Sequence, residues 1–123
     1  MSTWTSDELD RIGRAEELEL APVRRDGTLR QPVTIWVVRH GGDLYVRSVN
    51  GRTSSWFRGA QARHEAHIEA GGAGKDVVLV ETDEMRDEID ASYRSKYGRY
   101  AESIVGSIVS PEARAATLKL VPR

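Results

Sequence analysis

Between residues 47 and 58 the sequence runs Arg47-Ser48-Val49-Asn50-Gly51-Arg52-Thr53-Ser54-Ser55-Trp56-Phe57-Arg58. Three arginines, four hydroxyl residues and a glycine turn fall in this one segment. A guanidinium group presents a planar fork of donors matched to phosphate and carboxylate. Ser54 or Ser55 suits the cap of a short helix over about 56–63, and the first N–H groups of a helix have no internal partner. The chemistry on offer is capture of an anion, phosphate above all. An ordinary capped helix with solvated arginines uses the same residue types, and the residues alone leave the two readings open.

The arginine at 47 is placed by a hairpin. Residues 33–39, Val-Thr-Ile-Trp-Val-Val-Arg, form the strongest strand pattern in the chain, β-branched and aromatic. Gly41-Gly42 turns it and residues 44–49 return. A two-residue turn pairs His40 with Asp43, Arg39 with Leu44, Val38 with Tyr45 and Trp36 with Arg47. Alternation then puts Thr34, Trp36, Val38, Tyr45, Arg47 and Val49 on one face, and Ile35, Val37, Val46 and Ser48 on the other, apolar one. Arg47 is expected between Trp36 and Tyr45, an arrangement that contributes about 0.5–2 kcal/mol. That face is expected to meet a pocket or a partner.

Other groupings carry less. Tyr93, Lys96 and Tyr97 share a helix face and suit either a substrate-polarising pair or packed tyrosines with a snorkelling lysine. His64-Glu65-Ala66-His67 lacks the spacing of a zinc helix, so no metal site is assigned. No Ser-His-Asp set, nucleophile elbow or phosphate-binding loop is present, and no catalytic side chain is assigned.

The elements that must position these residues alternate short strands with helices. Thr5 and Glu8 form a capping box, with Trp4 and Leu9 as its staple, for a helix to about Ala15. Leu18, Leu20 and Pro22 suggest an edge strand. Asp26-Gly27 marks a turn. Residues 66–69 and 77–80 form a second hairpin through Gly71-Gly72-Ala73-Gly74. Thr82-Asp83 opens the longest helix, which ends at Gly98 and carries Met85, Ile89, Tyr93 and Tyr97 on one face. A short helix over 104–109, a Ser110-Pro111 cap and a closing strand over 116–121 complete the chain. Five or six short strands with interspersed helices point to an α+β domain, a small barrel or curled sheet, spanning 1–123 as one unit.

Composition bounds the function. The net charge of −1 counts against a general nucleic-acid binder. Residues 22–64 hold eight arginines and two acids, while the flanks are acidic. The chain contains no cysteine, which excludes thiol chemistry and fits a reducing, cytoplasmic compartment. The polar opening at Met1-Ser2-Thr3 and the lack of a long apolar run predict neither signal peptide nor membrane span.

Several of these segments resemble a bacterial family of uncharacterised proteins grouped with the FMN-binding split-barrel proteins. The resemblance runs through 35–38, 44–48, Gly51, Trp56-Phe57-Arg58 and 90–98. More distantly, Gly51-Arg52-Thr53-Ser54-Ser55 and Trp56-Phe57-Arg58-Gly59 are similar to the Gly-Arg-x-Ser-Gly and Trp-Tyr-Arg-Asn patterns of deazaflavin-dependent nitroreductases. Ser55 departs from the glycine and Gly59 from the asparagine, and the two motifs lie end to end here. The resemblance implies a small antiparallel split β-barrel with peripheral helices, a homodimer, and FMN or a deazaflavin as cofactor. Arg47, Ser48, Arg52, Ser54, Ser55 and Arg58 are then expected at its phosphate, with Trp36, Tyr45 and Trp56 near its ring system. A non-redox protein binding a small molecule with a phosphate or carboxylate, with no cofactor, is the alternative on the same scaffold. A single-stranded nucleic-acid module is disfavoured by the acidic flanks.

Overall fold

The computed structural model describes residues 3–123. Met1 and Ser2 of the polar opening lie outside the described residues. Seven antiparallel strands form one sheet: β1 (Leu18–Pro22), β2 (Val33–Ile35), β3 (Val37–His40), β4 (Asp43–Arg47), β5 (Glu65–Ala70), β6 (Ala73–Glu81) and β7 (Thr117–Pro122). Their order is β2-β1-β5-β6-β7-β4-β3. The two strands at the ends of this order, β2 and β3, are consecutive in the chain and separated only by Trp36. One extended segment therefore serves both edges, and the sheet curls into a split barrel. The expected single strand over 33–39 is thus two strands with different neighbours. β2 pairs with β1, Ile35 opposite Leu18, while β3 pairs with β4, Val37 opposite Val46. Strand β1 lies between β2 and β5, not at an edge; Pro22 is tolerated because it is the last residue of its ladder.

Alternation fills the barrel. Leu18, Leu20, Val37, Leu44, Val46 and Leu79 point inward into one buried cluster. Helix α1 (Ser6–Arg14) plugs an end of it. The Thr5–Glu8 capping box forms as expected, and the Trp4 Nε1–H donates to the Leu120 carbonyl of β7 at 3.0 Å. The hairpin register over 37–46 is the one set by the two-residue turn. Trp36 leaves the ladder, so it has no strand partner, and Arg47 pairs with Thr117 of β7 instead.

Helices cover the outer face of β3 and β4. Val38 and Tyr45 meet Ile89, Tyr93 and Tyr97 of α3 (Arg86–Lys96) and Val105 and Ile108 of α4 (Glu102–Ile108). This corrects the expectation of a pocket or partner for Tyr45, which lies beneath α3; Arg47 is held under α3 as well, but it also reaches the wall of a cavity. The helix also begins later than Thr82-Asp83, because Met85 takes a left-handed backbone (φ 57°) that stops helical propagation in that direction. A short α5 (Pro111–Arg114), capped by Ser110, leads into β7.

Arg47 is 1% exposed, and its charge dictates how α3 docks. Nη1 donates to Asp90 at 2.5 Å and to the Ile108 carbonyl at 3.2 Å. Nε donates to Thr117 Oγ1 at 3.0 Å and Nη2 to the Arg86 carbonyl at 3.3 Å. Its aromatic neighbour is Tyr93, whose ring centre is 5.5 Å from the guanidinium carbon, and not the expected Trp36 and Tyr45. Trp36, freed from the ladder, stacks on Tyr97 at 3.8 Å with 2° between the planes. Lys96 Nζ and the Tyr97 hydroxyl both donate to the Val37 carbonyl, at 2.6 and 3.2 Å. The end of α3 thus holds the barrel seam.

Two measurements check these roles. Asp90→Ala leaves a buried guanidinium without its counter-charge and is expected to cost about 3 kcal/mol in urea unfolding. A loss below about 1 kcal/mol would mean that Arg47 is neutralised by other groups. Burial holds the Lys96 ammonium down, to about 8. The unfolded chain keeps that proton to about pH 10.4, so between these values it binds more protons than the folded one. Stability relative to Lys96→Met is therefore expected to rise from about pH 8 to about pH 10 and to be flat below. Urea midpoints of both proteins across this range test it; a flat difference throughout would refute the buried amine.

Candidate functional site

Beside the seam at Trp36 opens a cavity of about 350 Å³. This is within the range of small-molecule sites, roughly 300–1,000 Å³. Val33 and Ile35 of β2, Trp36, Trp56 of α2 (Ser55–Gln61), and Ile104 and Ile108 of α4 supply its apolar walls. Thr34, Arg47, Ser48, Asn50 and Ser107 supply polar groups. The strand break turns Trp36 toward this space, and the docked α4 closes the side opposite Trp56.

A second cavity of about 400 Å³ shares Val33, Asn50 and Trp56 with the first and adds Arg24, Arg30, Ser54 and Ser55. A third, of about 470 Å³, shares Arg30 and Ser55 with the second and adds Thr53, Arg58 and Gly59. The three form one groove, aromatic at the Trp36 end and cationic at the Arg58 end.

The structure brings Trp36, Arg47, Ser48 and Trp56 to the first cavity. Ser54 and Ser55 line the second and Arg58 the third. Of the two serines it is Ser54 that caps α2, its Oγ accepting the Phe57 N–H at 3.4 Å. The same oxygen lies 2.7 Å from Ser48 Oγ, which ties the floor of the first cavity to the start of α2. Tyr45 lies outside the groove, under α3, where burial pushes its phenol up. Arg52 turns the other way, donating to Glu81 at 2.8 Å and to the Ala115 carbonyl at 3.1 Å, with its guanidinium 5.4 Å from the Phe57 ring centre. Arg47 reaches the cavity wall with its donors engaged by the protein.

Sequence reasoning missed Arg24 and Arg30, and the α4 wall. Arg30 Nη2 donates to Ser55 Oγ at 3.3 Å, and its side chain lies across Gly59. A Cβ at position 59 would sit 1.8 Å from Arg30 Nη1. The departure of Gly59 from the nitroreductase pattern therefore has a physical counterpart: the space is taken by a guanidinium. The arginine surplus of residues 22–64 was the available signal, but which arginines fold onto α2 depends on the 22–32 loop. His64 and His67 stand elsewhere, His67 between Asp76 (2.9 Å) and Glu69 (3.3 Å), and His64 3.5 Å from Glu81.

The residues present fit a flavin-type group. Two indoles and branched aliphatic side chains line a space suited to a flat ring system, and hydroxyls with arginines continue from it toward where a phosphate can be held. Glu17 is the one carboxylate in the lining of the first cavity, which carries no His, Cys or Met.

Comparison with known proteins agrees on the fold. The conserved hypothetical protein Rv2991 from Mycobacterium tuberculosis superposes with a TM-score of 0.66 at 16% identity, covering 99% of this chain and 82% of that one. HutZ, the heme storage protein from Vibrio cholerae, gives 0.61 at 17% identity, with 96% and 89% covered. A protein described as an F420 reductase gives 0.56 at 16% identity, with 94% and 90% covered. At such identities the likeness is one of fold: an α+β split barrel. No curated protein matches the chain in sequence. Among the described residues no helix is long and apolar enough to cross a membrane. The sequence itself matches a family model over residues 8–120, and the chain belongs to that family, described as an uncharacterized protein conserved in bacteria (DUF2255).

Proposed function

We propose that the chain binds a flavin-class cofactor, FMN or a deazaflavin, with the ring system between Trp36 and Trp56 and the phosphate toward Ser54, Ser55 and Arg58. One observation carries this reading: an aromatic cavity that adjoins an arginine-lined surface through Val33, Asn50 and Trp56. The fold shared with a protein described as an F420 reductase supports it. When bound, such a cofactor supplies hydride transfer to or from a small molecule, and the protein supplies binding and electrostatics.

The chain's own residues hold and shield. Tyr97 backs Trp36 through the stack, which fixes the indole plane before any ligand arrives. Arg47, hydrogen-bonded to Thr117 and paired with Asp90, stiffens the wall. Val49 and Ile104, 46% and 48% exposed, stand on the cavity rim. A second copy of the chain covering this rim would exclude water, and a homodimer is part of the proposal. The α3 face bearing Tyr93 does not contribute to such an interface, because Tyr93 and Tyr97 are buried within the single chain. A non-redox binding protein for an acidic small molecule is the second reading. It is favoured by Arg24, Arg30 and Arg58, which make no carboxylate pair among the described residues and could serve a ligand lacking a redox ring.

Titration of the purified protein with FMN and a deazaflavin, followed by absorbance and tryptophan quenching, tests the proposal. Trp56→Ala is expected to weaken binding about tenfold while leaving the fold intact, since the indole is only half-buried. Absence of binding at millimolar concentration of either ligand would refute the cofactor reading. Sedimentation over a dilution series tests the dimer, and a concentration-independent monomer mass would remove it.

A further inference from the structure

Nine of the fifteen arginines pair with a carboxylate among the described residues. Arg24, Arg30 and Arg58 do not, although they lie along one groove. Arg24 and Arg58 are exposed and Arg30 is half-buried between the two cavities, so positive charge uncompensated by a carboxylate runs along this stretch of surface. The two arginines from the 22–32 loop are also held in place. The loop is closed by a Val23–Leu29 bridge and by Asp26, whose Oδ1 accepts the Thr28 N–H at 3.0 Å. Arg24 Nη1 donates to the Leu29 carbonyl at 3.0 Å, and the Arg30 N–H donates to the Pro22 carbonyl at 2.8 Å. Arg30 then lies on Gly59, where the missing side chain makes its seat. A preorganised guanidinium loses little freedom on binding an anion, and its fork matches phosphate oxygens in pairs.

We infer that Arg30, seated on Gly59 and flanked by Arg24 and Arg58, forms an anion subsite for a phosphate or diphosphate carried by the molecule in the aromatic cavity. The inference rests on the cofactor-pocket reading only for what that molecule is. It makes the loop over 22–32, which the sequence motifs do not include, the part of the chain that selects for charged over uncharged ligands.

The experiment uses inorganic pyrophosphate, FMN and riboflavin against wild type, Arg30→Ala and Gly59→Ala. The last variant is the discriminating one. It keeps every charge, and alanine is the better helix former, but its Cβ drives the Arg30 guanidinium off its seat. The expected result is sub-millimolar pyrophosphate binding by wild type, weakened about tenfold in both variants, with the preference for FMN over riboflavin reduced in parallel. No pyrophosphate binding by wild type, or equal binding by Gly59→Ala, would overturn the subsite. Pyrophosphate binding as expected with neither flavin bound would leave the subsite standing and remove FMN from the cofactor reading. Equal binding of both flavins without pyrophosphate binding would do the reverse.

Discussion

A guanidinium buried in the wall of a barrel must be neutralised and fully hydrogen-bonded, and Arg47 imposes that requirement on everything around it. Its partners come from three separate elements: Thr117 on β7, Asp90 and the Arg86 carbonyl on α3, and the Ile108 carbonyl on α4. Meeting all of them fixes the position of both helices on the outer face of β3 and β4. The apolar stripe of α3 is narrow, contributing Ile89, Tyr93 and Tyr97, so area alone would define its register weakly. Charge defines it sharply. Once α3 is fixed, Tyr97 is presented to Trp36; once α4 is fixed, Ile104 and Ile108 join Trp56 in the cavity lining. The groove is thus a consequence of how one cation is satisfied.

The same logic explains where free charge remains. The acidic flanks fold back onto the basic centre of the chain: Asp10 meets Arg39, Asp90 meets Arg47, Glu81 meets Arg52 and Glu65 meets Arg63. Apart from the buried Asp90–Arg47 pair, these are surface pairs and contribute little stability each. Their effect is to cancel the basic segment wherever an acidic strand or helix passes beside it. The cationic end of the groove is the stretch that no such element passes, and the field there is the uncancelled remainder.

Much of the fold was legible because local rules governed it. The capping box at Thr5, the turn at Gly41-Gly42 and the register it sets, and the Ser110-Pro111 cap are all short-range signals. The break at Trp36 was not legible, since a β-branched and aromatic run looks the same whether it feeds one ladder or two. It becomes visible only when the sheet closes on itself. The late start of α3 was hidden for a similar reason: Met85 adopts positive φ without glycine or asparagine to announce it. At the candidate site, Trp36, Ser48 and Trp56, expected there from the family resemblance, line one cavity. Tyr45 was misplaced because the face it occupies is covered by a helix, and alternation identifies faces without saying what covers them. Arg52 was misplaced because its direction depends on Glu81 in a strand far along the chain. Arg30 was missed because nothing local marks a loop arginine that will rest on a glycine in another element.

Strand β7 has an effect on the order of assembly. It lies between β6 and β4, inside the sheet, and its Leu120 carbonyl receives the Trp4 indole N–H from a position 116 residues earlier. During synthesis, β1 to β6 and all five helices α1 to α5 precede β7 and leave a gap where it belongs. The exposed edges of β4 and β6 have no partner in that interval. Pairing across such separations is slow because loop-closure entropy opposes it until the last contact forms. The central position of β7 therefore makes closure of the sheet depend on contacts of long sequence separation, between residues 117–122 and the strands β4 and β6 on either side.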